Sequence, residues 1–93
     1  MHIEWDDEKR QRNLQRHGWD FVAIKRFEWR SAVLRPSYSS EHGHRRFPAI
    51  GVLDADLVAA VFSGLGAEAL SLTSLRRASR AERREYAEAQ EGS

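Results

Sequence analysis

The stretch FPAIGVLDADLVAAVF, Phe47 to Phe62, decides how this chain folds. Phe47 to Leu53 reads as one strand, Asp54-Ala55-Asp56 supplies turn chemistry, and Leu57 to Phe62 reads as the next strand. The second run carries no polar residue, so it is expected at the centre of a sheet with both faces covered. It also falls far short of the roughly 20 apolar residues needed to cross a bilayer.

Working outward, Ser63-Gly64-Leu65-Gly66 is a turn, and Ala69 to Leu75 alternates Leu70 and Leu72 with Ser71 and Thr73, as a strand does. Upstream, Ala32 to Arg35 is a strand ended by Pro36, followed by a polar loop from Ser37 to His44. Ile3-Glu4-Trp5 is an extended lead-in to a helix that Asp6 caps and Gly18 terminates after His17. Asp20 caps a second helix, closing near Trp29, with Phe21, Ala23, Ile24 and Phe27 toward the core. Ser79 and Glu82 form an S-x-x-E capping box that opens a last helix through about Gln90, before a fraying tail. The expected fold is α+β in a single domain spanning 1–93: two N-terminal helices, a four-stranded antiparallel sheet and one C-terminal helix.

A chain of 93 residues buries only roughly 60–65% of its unfolded surface, so it needs a well-filled core. Three Trp, four Phe and two Tyr supply it. With no cysteine there is no disulfide and no thiolate nucleophile, which fits a reducing cytoplasm. The opening acids Glu4, Asp6, Asp7 and Glu8 are the opposite of a signal peptide's basic start, so a soluble cytoplasmic protein without membrane contact is expected.

Net charge is only +1, yet the charges segregate. Five arginines fall between Arg76 and Arg84 against the single acid Glu82, while Lys9, Arg10, Arg12 and Arg16 form a second basic set and Arg45-Arg46 a third. A basic face of this kind suits RNA, DNA or an acidic protein. Arg76 and Arg77 stand where a strand ends and a helix begins, and in a regular strand they point to opposite faces. Arg80, Arg83 and Arg84 also fit a solvated helix face laced by Glu82, Glu85 and Glu88. Ser79 follows Arg76-Arg77-Ala78 like a kinase site, but the capping role accounts for it more simply. His42-x-His44 suggests no third metal ligand, so neither metal nor cofactor is expected. His17 beside Gly18 suits a helix C-terminus as well as acid–base work.

The motifs Trp5-Asp6-x-x-Lys9-x-x-x-Asn13-x-x-Arg16-His17-Gly18 with Phe21, Arg46-Phe47-x-Ala49-Ile50-Gly51, and Thr73-Ser74-Leu75-Arg76-Arg77-Ala78-Ser79-x-x-Glu82-Arg83-x-x-Tyr86 together resemble the BrnT family of toxins. The resemblance implies a RelE-like fold and a ribonuclease that cuts RNA and stalls translation. It also implies a BrnA-like antitoxin as partner in a heterotetramer with two toxins, and operator DNA reached only through that antitoxin. Metal-independent cleavage needs a base, an acid and fixed cations for the phosphoryl charge. Arg76 and Arg77 are the expected cations, His17 the first choice for acid–base work and Tyr86 the second. Arg46, Arg80 and Arg83 are expected to hold RNA phosphates. One departure stands out: Leu65 occupies a place where the family usually carries an arginine. It motivates a rival reading, a catalytically inactive module that acts through antitoxin binding and operon repression.

Overall fold

In the computed structural model, which describes residues 2–39, 43, 45–64 and 69–92, the chain runs β1 (His2–Glu4), α1 (Asp7–His17), β2 (Val33–Leu34), β3 (Tyr38–Ser39), β4 (Arg45–Leu53), β5 (Asp56–Gly64), β6 (Ala69–Arg77) and α2 (Arg80–Glu91). Two 3₁₀ segments, Phe21–Arg26 and Trp29–Ser31, lie between α1 and β2. Strand order is β1-β6-β5-β4-β2, with β3 also on β4.

The Phe47–Phe62 stretch is the antiparallel hairpin expected of it, paired from Phe47–Phe62 down to Leu53–Asp56. Its two-residue turn places Asp54 and Ala55 at φ 50° and 71°, the left-handed pair that matches strand twist. Asp54 tolerates this region; Ala55 is strained there. Arg26 donates to both Asp54 carboxylate oxygens, at 2.8 and 2.7 Å, and ties the turn to the 3₁₀ segment. Val58, Ala59, Ala60, Val61 and Phe62 are all buried, so β5 is covered on both faces.

The four-stranded antiparallel expectation is corrected. Two further very short strands, β1 and β3, join the four expected ones, and β1 runs parallel to β6, pairing Ile3 with Leu70, so the sheet is mixed. Strands of two or three residues are too short to show a period, which is why Ile3-Glu4 reads only as extended and Tyr38-Ser39 as loop. The second helix is corrected as well. Asp20 caps it as expected, accepting from Val22 N–H at 3.1 Å, but the turns are 3₁₀. Phe21, Ile24 and Phe27 recur every third residue and are 0, 3 and 5% exposed. A spacing of three stacks on one side of a three-residue turn, whereas an α-helix would let it drift. The Phe27 ring lies against Gly51, 2.7 Å from where a Cβ would stand, so only glycine fits there.

Both α-helices carry their expected ends. Asp6 accepts from Glu8 N–H, Gly18 (φ 77°) donates to Leu14 O at 2.9 Å, and Ser79 with Glu82 completes the capping box. Between Val61 and Phe62, β6 inserts an extra residue, Thr73, whose hydroxyl donates to Val61 O at 3.0 Å. This bulge lets Leu72 and Leu75 share the core face under Phe21, Ile24 and Phe27.

Candidate functional site

The other face of the sheet is built from aligned rows. Tyr38 pairs with Arg46, Pro48 with Val61 and then Ser74, and Ile50 with Ala59 and then Arg76. Paired residues project to the same side, so Tyr38, Arg46, Val61, Ser74 and Arg76 gather on one surface. The bulge at Thr73 sets this phase for Ser74 and Arg76.

Helix α1 supplies the second wall, and Asn13 fastens it. The buried Asn13 amide donates to Leu75 O (2.8 Å) and Trp19 O (2.9 Å), and accepts from Leu75 N–H at 3.1 Å. It pairs with the β6 edge as a strand would, beyond the three residues that β1 covers. Residues 9, 12, 13 and 16 share a helix face by spacing, so fixing Asn13 turns Lys9, Arg12 and Arg16 toward Arg76. Arg10 faces elsewhere, paired with Asp7 at 2.7 Å and Asp20 at 3.1 Å.

The result is a cavity of about 510 Å³ lined by Lys9, Arg12, Asn13, Arg16, His17, Tyr38, Arg46, Val61, Thr73, Ser74 and Arg76. Among the described residues it has five permanent cations and no carboxylate in its lining. Arg76 is oriented from behind. Its guanidinium donates to Glu82 Oε1 at 2.8 Å and Oε2 at 2.9 Å, a two-pronged pair that fixes the plane of the group. Glu82, 2% exposed, also accepts from Ser79 N–H at 2.7 Å and from Arg35 at 3.4 Å. Arg76 first, and then Ser79, hold its carboxyl down to about 2 despite burial. Glu82 in turn raises the Arg76 value. At the rim, burial and then the charges of Arg16 and Arg76 hold the His17 imidazole below its usual 6.5, so it is neutral near pH 7.

Of the residues singled out from sequence, the structure brings His17, Arg46 and Arg76 into one cavity. Arg77 projects to the opposite face, 3.5 Å from Asp56 and 68% exposed. Tyr86 donates to Ser31 Oγ at 3.1 Å, Arg83 donates to Ala78 O, and Arg80 is exposed; none of the three lines the cavity. Leu65, His42 and His44 lie outside the described residues. Asn13 and Tyr38 have no site role that sequence alone assigns, and Lys9, Arg12 and Arg16 read there only as a charge cluster. The i, i+3, i+7 spacing of the three cations was the available signal. For Tyr38 there was none, because its place depends on pairing with Arg46.

Residues 5–82 match the model of a family described as ribonuclease toxin, BrnT, of type II toxin–antitoxin systems. The fold is similar to the 1.1 Å crystal structure of the Brucella abortus ribonuclease toxin BrnT, at 37% identity and a TM-score of 0.68, covering 86% of this chain and 99% of that one. No curated protein matches.

Proposed function

The chain belongs to the BrnT family of ribonuclease toxins of type II toxin–antitoxin systems, and from that premise we propose that its basic cavity is the RNA-cleaving site. The observation that carries this reading is the meeting of a neutral His17 with Arg46 and Arg76 in a cavity whose described lining has no carboxylate. His17 accepts the proton of a ribose 2′-hydroxyl as its oxygen attacks the adjacent phosphorus. The 5′-oxygen leaves with a proton, for which the Tyr38 phenol is the lining group at hand. Arg76 meets the charge gathering on the phosphoryl oxygens, its plane set in advance by Glu82, and Arg46 holds the phosphate from the neighbouring strand. No metal ion is required by this route. Arg77, Arg80, Arg83 and Tyr86 lie off the cavity and take no part in it.

In the cell, such cleavage stalls translation. A BrnA-like antitoxin neutralises it in a heterotetramer with two toxins, and operator DNA is reached only through the antitoxin. The direct test is cleavage of a labelled RNA in EDTA by the purified chain, His17→Gln, Arg46→Ala and Arg77→Ala. Products ending in a 2′,3′-cyclic phosphate, formed by the unmutated chain and Arg77→Ala but lost by at least a hundredfold in the other two, support the site. Absence of cleavage with antitoxin binding intact would assign the chain to the rival reading, a binding module that acts by operon repression.

A further inference from the structure

Lys9, Arg12 and Arg16 line the cavity, yet none is paired with an acid among the described residues. This is unlike a solvated helix face. Glu8 stands four residues before Arg12, the spacing of a helix ion pair, and the two form none. The neighbouring acids Asp6 and Asp7 are engaged otherwise: Asp6 caps the helix, and Asp7 holds Arg10 at 2.7 Å and Gln11 at 2.9 Å. The three cations therefore keep their full charge toward the cavity. They are also held on rigid backbone, because Asn13 between them is bonded to Leu75 of the sheet.

Their number exceeds what the chemistry needs. One scissile phosphate is matched by Arg46 and Arg76 alone. From Lys9 to Arg16 the helix rises about 10 Å, against about 3.4 Å of axis per phosphate in one strand of a duplex. The stripe thus spans more than one phosphate beyond the reacting centre. We propose that Lys9, Arg12 and Arg16 form a track for the flanking phosphates of an RNA strand. The substrate is then a single strand several nucleotides long, laid along α1, rather than a dinucleotide or mononucleotide. A strand so held leaves its bases free of the helix, and Tyr38, 49% exposed at the cavity's other side, offers a ring face for one of them.

This inference rests on the RNA reading of the cavity, and binding separates it from catalysis. The probes are a labelled 2′-O-methyl RNA hexamer and the matching dinucleotide, which cannot undergo attack by the 2′-oxygen. Their affinities are measured against salt for the unmutated chain and for Lys9→Ala/Arg12→Ala/Arg16→Ala. A control, Lys25→Ala/Arg30→Ala/Arg84→Ala, removes the same charge from exposed positions off the cavity. The track variant is expected to lose roughly a hundredfold in hexamer affinity at low salt, about fivefold per cation. The slope of log K against log salt should shrink by about 2, at about 0.7 per phosphate contact for single strands. The dinucleotide should change by less than about threefold, and the control should affect neither probe beyond that. Equal losses for hexamer and dinucleotide, or equal losses in track variant and control, overturn the track. So does an unchanged hexamer affinity accompanied by lost antitoxin binding, which would make the stripe an antitoxin contact. Hexamer binding that depends on the track, in a chain that cuts no RNA, would sink the catalytic reading and leave the track standing. A chain that binds no RNA overturns both.

Discussion

Replacing Glu82 by glutamine separates the electrostatic from the structural role of the best-buried charge among the described residues. Gln at this position keeps a group that can accept from Ser79 N–H, as capping boxes allow, and it keeps the side-chain volume. What it loses is the charge between Arg76 and Arg35. A carboxyl moved from its ordinary 4.5 to about 2 contributes about 3 kcal/mol at neutral pH. Only one partner is counted, because the raised Arg76 value reports the same pair. Arg76 is 34% exposed and can turn partly to water, so the expected loss at pH 7 is about 2 kcal/mol. That amounts to a fall in Tm of roughly 10 °C for a domain of this size. The sign with pH is definite. The folded value is depressed, so the stabilisation is complete above the unfolded value of 4.5 and fades as pH falls toward about 2. Urea unfolding at pH 7 and pH 3 should show the gap between the two proteins shrinking by at least half. In parallel, kcat for RNA should fall at pH 7, because Arg76 is no longer aimed. A gap that stays constant between pH 7 and 3 would refute the ion-pair reasoning and reduce Glu82 to a cap.

The remaining expectations follow from single contacts. Asn13→Ala strips Leu75 of both its side-chain partners and should cost about 2–4 kcal/mol, with faster amide exchange at Leu75. Ala55→Gly relieves the left-handed strain at φ 71° and should stabilise by about 1 kcal/mol in denaturant unfolding. Gly51→Ala drives a methyl into the Phe27 ring and should cost about 1–3 kcal/mol, recovered in part by Phe27→Leu. If His17 is the base, kcat/KM should rise with pH through a value below 6.5 and level off by pH 7, and His17→Gln should lose that limb.

The strong local signals of this chain were legible from sequence and tertiary pairing was not. Asp6, Gly18, Ser79 and Glu82 mark helix ends through bonds made within a few residues, and each makes the expected one. The unbroken run Leu57–Phe62 announces a strand buried on both faces because composition alone encodes it. The 3₁₀ segment at Phe21–Arg26 was readable in principle, since a strict spacing of three differs from 3.6, but Phe21, Ile24 and Phe27 sample it only over two turns. The parallel β1 pairing was not readable, because it joins residues 2–4 to residues 69–71 and nothing local specifies it.

The site divides along the same line. Arg76 and Arg77 are adjacent and chemically identical, and the alternation of a strand correctly sends them to opposite faces. Which one meets the cavity depends on the bulge at Thr73, where one extra residue reverses the phase of everything after it. With Thr73 bulged out of the ladder, Leu75 joins the core, Arg76 falls beside Ser74 and reaches Glu82, and Arg77 is left to Asp56 at 3.5 Å. Were β6 to run on without the bulge, Thr73 pairing with Val61, the two faces would exchange: Arg77 would inherit the cavity, without the carboxylate that aims Arg76, and Leu75 would leave the core. A single inserted residue therefore couples the packing of the core to the orientation of the charge in the cavity. That coupling, rather than the number of arginines, distinguishes Arg76 from its neighbours.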